Sequence, residues 1–180
     1  LVAVWDGRSG ELLLVNDRYG LYPHYYTHCD GHFCFAPEMK AILGAPGIHC
    51  TLDLTAVAQY TRFQQLLGER TWAEGLWLLA PATILRFTPA EDLLRLERYW
   101  DWDAIRPHAK ISFDEAAEEC VRLFQRAIDG MTQPPHKLGV YLSGGMDGRT
   151  ILGYINSQIP VTAVTFGAAG CRDVEYGTAL

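Results

Sequence analysis

The sequence predicts an α+β half built on antiparallel strands, followed by an α/β half built on parallel strands. Three observations carry this expectation. Apolar runs at 1–6 and 11–17 flank Gly7-Arg8-Ser9-Gly10, and runs at 25–29 and 32–36 flank Asp30-Gly31, a two-residue signal for a type I′ hairpin. After Trp102 the pattern changes to helix, strand, helix, strand, helix, the rhythm of a parallel sheet with crossover helices. The first strand of that second part ends in Ser143-Gly144-Gly145, at the position where open parallel sheets present ligands. The boundary falls within 103–111, around Arg106-Pro107-His108, so the domains are read as 1–105 and 106–180.

Taken in order, the two hairpins account for the first 36 residues. Pro37 suits the first turn of a short helix reaching Leu43, because its fixed φ is helical and its missing N–H is not needed there. A second helix spans about 54–64. Residues 83–87 and 93–99 form another strand pair, with 89–92 as the turn. Ser112-Phe113-Asp114-Glu115 is a capping box, and Ala116, Cys120, Leu123, Phe124, Ala127 and Ile128 continue it as a helical apolar stripe. Pro134-Pro135 stop that helix. A strand at 138–142, a helix at 147–157, a strand at 161–166 and a helix from about 173 complete the chain. No internal repeat or low-complexity segment interrupts it.

The most informative stretch is Lys137 to Arg149, where a buried strand runs into a Ser-Gly-Gly loop and then a helix opening with Asp147. Adjacent glycines let backbone approach a ligand closely. The N–H groups and partial positive charge at a helix start suit phosphate oxygens. A carboxylate beside such a seat repels the anion unless a cation lies between them, so Asp147 points to Mg²⁺. Other loops fail on their letters. No Lys follows the glycines as in G-x-x-x-x-G-K-[ST], the spacing is not G-x-G-x-x-G, and Tyr141 stands where G-x-S-x-G needs glycine. A plain strand-to-helix turn is the bland alternative.

Ser143-Gly144-Gly145-Met146-Asp147 resembles the S-G-G-x-D pyrophosphate loop of ATP-pyrophosphatases. Three further segments narrow the likeness. Asn16-Asp17-Arg18-Tyr19-Gly20-Leu21-Tyr22-Pro23 is similar to an "RD-x-x-G-x-x-P-L-Y" segment, and Phe35-Ala36-Pro37-Glu38-Met39-Lys40-Ala41-Ile42 to "F-A-S-E-x-K-A-L". Leu79-Ala80-Pro81-Ala82 with Arg98-Tyr99-Trp100 is similar to "L-P-P-G…R-Y-W". In this order, over nearly all 180 residues, they resemble the glutamine-dependent asparagine synthetase family. The resemblance implies the latter part of an N-terminal-nucleophile-type glutaminase domain in 1–105. It implies the beginning of an ATP-pyrophosphatase domain, adenine nucleotide alpha hydrolase-like, in 106–180.

It also implies a ligase of amino-acid biosynthesis, in which ATP adenylates aspartate, pyrophosphate departs, and ammonia from glutamine forms the amide. ATP and Mg²⁺ are the implied cofactors, and a homodimer is compatible. Ser143, Gly144, Gly145, Met146, Asp147 and Gly148 would hold pyrophosphate, Leu142 and Phe166 would contact adenosine, and Asp147 would carry the metal; Asp173 is a further candidate for metal or pyrophosphate. Gly148-Arg149 departs from the family, which usually has Ser after the loop's Asp; Arg149 is a candidate to supply charge in its place. The departure is compatible with branches activating other carboxylates, resembling β-lactam synthetases or lasso-peptide cyclases, and with a non-catalytic scaffold. The family's N-terminal Cys and Asn-Gly-Glu segment have no counterpart in the sequence, so the chain is expected to lack glutaminase activity and to be a fragment of a larger protein, inactive by itself.

Composition excludes several classes. A net charge of −6 without a Lys/Arg run lacks the footprint of a nucleic-acid binder. No apolar run is long enough for a bilayer, and five scattered cysteines without C-x-x-C suggest reduced thiols in a cytoplasmic protein. His24, His28, Cys29, His32 and Cys34 crowd together. In a hairpin, however, Cys29 opposes His32 and Thr27 opposes Cys34, so they read as strand residues. Tyr19, Tyr22, Tyr25 and Tyr26 read as sheet packing, and Asp114 and Glu115 as helix-start residues. Asp101 and Asp103 are the other carboxylates that imitate an acid/base set.

Overall fold

The computed structural model describes residues 1–29, 31–107, 110–135 and 137–179; Asp30 of the expected turn and His108 of the expected boundary lie outside them. The chain divides into two compact units, Leu1–Arg106 and Pro107–Leu180.

In chain order the first unit holds β1 (Val2–Asp6), β2 (Glu11–Val15), β3 (Tyr25–Cys29), β4 (His32–Ala36), α1 (Met39–Leu43), α2 (Leu54–Phe63), β5 (Leu76–Leu78), β6 (Thr83–Thr88) and β7 (Leu93–Arg98). Two antiparallel sheets result, ordered β1-β2-β6-β7 and β4-β3-β5. Gly10, at φ +67°, closes the first hairpin by donating its N–H to Asp6 O at 2.8 Å. The β3/β4 register pairs Cys29 with His32 and Thr27 with Cys34, as the spacing requires. Leu14, Leu85 and Phe87 from the first sheet pack with Tyr26 and Leu79 in one buried cluster, and Phe33 of β4 stacks on Phe87 with centroids 4.5 Å apart. A second cluster joins Ile42 of α1 to Ile48, Ala73 and Leu76. Every second residue of β6 is buried, the period of a strand with one face on a core.

Several boundaries differ from the sequence expectation, each for a local reason. Strand β2 stops at Val15 because the side chains of Asn16 and Asp17 turn to the backbone of neighbouring loops. Asn16, 2% exposed, donates from Nδ2 to Leu79 O at 3.0 Å and Ala80 O at 3.1 Å. Asp17 accepts from Tyr19 N at 2.9 Å and Leu21 N at 3.1 Å. Pro37 precedes α1 instead of entering it, since Ala36 still pairs with Tyr25 and the chain needs 37 and 38 to turn. Helix α2 ends one residue early, at Phe63, because the following Gln64 takes a left-handed φ of +59°. Strand β5 is not expected from the sequence: three residues give no period, and its partner β3 lies far away in the chain.

The second unit holds α3 (Phe113–Met131), β8 (Leu138–Tyr141), α4 (Met146–Tyr154), β9 (Val161–Val164) and α5 (Arg172–Ala179). The capping box of α3 is complete: Glu115 N donates to Ser112 Oγ at 3.3 Å and Ser112 N to Glu115 Oε2 at 2.9 Å. Its apolar stripe packs only near its end, where Ile128 is buried and Phe124 meets Tyr154 edge-on at 5.0 Å; Ala116, Cys120, Leu123 and Ala127 are exposed. Strands β8 and β9 are parallel and adjacent, Leu138 opposite Val161 through Tyr141 opposite Val164. Helix α4 ends at Tyr154, short of 157, because Ile155 is extended and Asn156 turns the chain by accepting from Gln158 N at 2.9 Å. Among the described residues no helix is long and apolar enough to cross a membrane.

Two stability outcomes are expected. Asn16→Ala leaves two buried carbonyls without their donor, and the urea midpoint should fall by the equivalent of roughly 2–3 kcal/mol. Asp53 caps α2, accepting from Thr55 N at 2.8 Å and Ala56 N at 3.0 Å, and pairs with Arg70. The Ala56 N–H above all, then Arg70, holds its carboxyl below the usual range. Its folded pKa is thus lower than its unfolded one, so its contribution is complete above about pH 4 and lost as pH falls further. The stability gap between the wild type and Asp53→Asn, followed by denaturation from pH 7 to 3, should narrow below about pH 4.

Candidate functional site

In the second unit, β8 delivers the chain into the Ser143–Gly145 loop. Leu142, 3% exposed, still follows the ladder, donating its N–H to Val164 O at 2.9 Å. Gly145 is the N-cap of α4, in extended conformation and with no side chain to cap it, so the first N–H groups of the helix keep their donor capacity. Gly144 N donates to Asp173 Oδ1 at 3.2 Å, and Gly145 N to Ser143 Oγ at 3.2 Å. Beside the loop lies a cleft of about 310 Å³ lined by Tyr141, Leu142, Ser143, Val164, Phe166 and Asp173. Tyr141 and Phe166 meet edge-to-face at 6.0 Å as its apolar wall, and Ser143 and Asp173 make its polar end.

The structure thus brings Leu142, Ser143 and Phe166 around one cleft. Gly144, Gly145, Met146, Asp147 and Gly148 lie on the adjoining loop and first helical turn without lining it. Asp147 is exposed in that first turn. An apolar slot with a polar end, next to open helix N–H groups, fits a nucleotide: the slot takes a ring system and the loop takes phosphates. The loop fits an anion only with a counter-ion, because Asp147 and Asp173 both add negative charge near it.

Two glycines make this packing possible. A Cβ on Gly148 would stand 2.7 Å from Tyr141 O, so only glycine lets α4 start this close to β8. A Cβ on Gly177 would meet Thr165 Oγ1 at 2.7 Å and Leu142 O at 2.8 Å, so α5 presses on the same strand end. Tyr141, Gly177 and Thr165 escape the sequence reading. The one available signal was a glycine inside a helical pattern, which marks close backbone approach.

In the first unit, two of the family-like segments converge, 16–23 and 79–82 with 98–100. Asn16 reaches Leu79 and Ala80, Tyr99 Oη donates to Asn16 O at 2.8 Å, and a Cβ on Gly20 (φ +61°) would stand 3.0 Å from Pro81 Cγ. Arg18 lies over the Trp100 ring at 5.4 Å, with Tyr19 edge-on to that ring at 5.8 Å. Ala82 takes a left-handed φ of +52° where the resembled motif has glycine. These side chains join loops and strand ends to one another. None of the five cysteines is in a disulfide, and Cys50, whose thiol is pushed up first by burial and then by Cys29, is the reverse of an activated nucleophile. Tyr26 is buried and its hydroxyl is pushed up to about 12 by burial and by Glu69, while Tyr19 and Tyr22 are exposed, so the four tyrosines form no common platform. Asp101 pairs with Arg98 at 3.0 Å and Glu115 serves the α3 cap.

An α+β unit of two antiparallel sheets, followed by a unit with a parallel strand pair and a glycine loop, defines the class. Residues 1–100 match the glutamine amidotransferase domain, and the chain belongs to that family, among its asparagine synthase-like members. It is similar to asparagine synthetase (glutamine-hydrolyzing) 3 of Bacillus subtilis, 32% identical over 153 residues, which is 83% of this chain and 24% of that protein. It is similar to amidase chyE of Penicillium rubens, 29% identical over 160 residues, 84% of this chain and 22% of that protein. Putative asparagine synthetase (glutamine-hydrolyzing) 2 of Methanocaldococcus jannaschii is 25% identical over 154 residues, 83% of this chain and 29% of that protein. The chain therefore spans about a quarter of the length of these relatives. Each match is longer than Leu1–Arg106, so the similarity continues into the second unit.

The close approach at Gly148 has a measurable consequence. Gly148→Ala should destabilise by about 1–3 kcal/mol, the usual cost of overpacking. Gly153→Ala on the same helix, where a Cβ meets nothing within 4 Å, should instead raise stability by up to about 1 kcal/mol. Thermal denaturation of the two variants separates these outcomes.

Proposed function

We propose that the intact protein is an ATP-dependent amide-forming ligase of the asparagine synthase type. The observation that carries the reading is the Ser143–Asp147 loop, standing between the carboxyl end of a parallel strand and an uncapped helix start, beside a cleft with an aromatic wall. Leu142 and Phe166 would hold adenosine, and Ser143 with the N–H groups of Gly145 and Met146 would hold the phosphates. Asp147 would carry Mg²⁺, which supplies charge neutralisation between the phosphate oxygens. A substrate carboxylate oxygen attacks the α-phosphorus, the bond to pyrophosphate breaks, and ammonia then attacks the acyl carbon, losing a proton as AMP leaves. The chain's own residues orient the phosphates and stabilise the departing charge; no protein nucleophile is required. Glutamine as nitrogen donor follows from the amidotransferase family of residues 1–100.

Aspartate is the first choice of carboxylate, because relatives from two organisms carry the name asparagine synthetase. A different carboxylate is the second reading, favoured by the relatives named amidase and by Gly148, which the backbone of Tyr141 requires here in place of the family's usual Ser. The test follows pyrophosphate release by the full-length protein from Mg·ATP with aspartate and glutamine or ammonia. Aspartate-dependent release that Asp147→Ala abolishes is the expected result. Mg·ATP binding that needs Asp147 without aspartate-dependent release would move the assignment to another carboxylate. A protein that binds no Mg·ATP would sink the ligase reading.

A further inference from the structure

Arg149 stands one helical turn after Gly145, on the face of α4 that looks back at the loop. Its guanidinium donates twice into that loop, from Nε to Gly145 O at 3.1 Å and from Nη2 to Gly144 O at 3.2 Å. Each of these carbonyls shares a planar trans peptide with the N–H of the next residue, and the two groups point in opposite directions. Holding Gly144 O toward Arg149 therefore turns Gly145 N–H to the other side, and holding Gly145 O does the same for Met146 N–H. Gly145 N–H indeed faces away, toward Ser143 Oγ at 3.2 Å. Met146 N–H is the first donor of α4 and has no acceptor within the helix. The Gly144–Gly145 peptide lies between two glycines that restrain it little by themselves, so it is held by its contacts with Arg149 and Ser143.

We propose that Arg149 is a positioning residue of the phosphate loop: its two-pronged contact with the Gly144 and Gly145 carbonyls aims the N–H groups of Gly145 and Met146 at the ligand's phosphates. This inference rests on the nucleotide reading above and adds to it a division of labour. Arg149 acts on the backbone, and the backbone acts on the anion. The requirement is geometric, since a planar guanidinium can span two carbonyls with fixed parallel donors, and a lysine ammonium presents a single compact charge. Aiming the donors before the ligand arrives strengthens binding by removing an ordering cost.

The test measures Mg·ATP and adenosine dissociation constants by calorimetry on the full-length protein, with Arg149→Ala and Arg149→Lys. Arg149 is exposed, and far-UV circular dichroism checks that both variants fold. The expected result is a loss of Mg·ATP affinity of about tenfold in both variants, which corresponds to ~1.4 kcal/mol. Adenosine, which has no phosphate, should bind unchanged, whereas general damage to the unit would weaken both ligands. Guanidinium ion at low millimolar concentration should restore part of the Mg·ATP affinity of Arg149→Ala. Full restoration by Arg149→Lys would mean that charge alone matters and would overturn the proposal. Unchanged Mg·ATP binding in Arg149→Ala would overturn it alone, whereas no Mg·ATP binding by the wild type would overturn the nucleotide reading as well.

Discussion

Where strands end, backbone carbonyls lose their ladder partners and must find other donors, and this constraint organises both units. In the first, Asn16 leaves the end of β2 and donates to the carbonyls of Leu79 and Ala80, which lie more than sixty residues later. That single amide joins the β2 end to the segment leading into β6, and Tyr99 closes the arrangement by donating to Asn16 O. In the second, Arg149 gives its donors to the carbonyls of Gly144 and Gly145 just after β8 ends. One node is buried and the other exposed. A buried node holds a fold, and an exposed one is free to hold a loop for a ligand.

The same contrast separates residues that resemble a family because they build it from residues that resemble it because they bind. Asn16, Gly20, Pro81 and Tyr99 contact one another and the backbone, and their role is to fix loop geometry in the amidotransferase unit. Ser143 lines a cleft with Gly144 and Gly145 on the adjoining loop, and the N–H groups of these two glycines bond to side-chain oxygens, of Asp173 and Ser143. Side-chain oxygens of this kind are the partners an incoming anion can replace. The departure at Gly148 belongs to the same economy of space: α4 begins so near Tyr141 O that no Cβ fits.

Legibility in the sequence followed the range of the signal. Both early hairpins, the β3/β4 register and the α3 capping box were legible because turn and cap signals act over two to four residues. The family was legible because four short segments recur in a fixed order, and residues 1–100 bear it out. Strand β5 was not, since a three-residue strand has no period and β3 pairs with it across about fifty residues. The stops at Val15 and Tyr154 were not either, because each is imposed by a side chain bonding to backbone, at Asn16 and Asn156.

By itself the sequence determined the succession of elements apart from β5, the hairpin register and the glycine loop at the head of a helix, all of which depend on neighbours along the chain. Only the tertiary structure decided that two family-like segments meet around Asn16, that Phe166 and Tyr141 wall one cleft, and that Asp173 reaches Gly144. It also decided what Arg149 does. From the sequence that residue was a charge beside a phosphate loop; in the fold its charge is turned toward the loop's own carbonyls. The reason is physical: contacts between distant segments depend on how the elements pack, and no local pattern of residue types encodes that packing by itself.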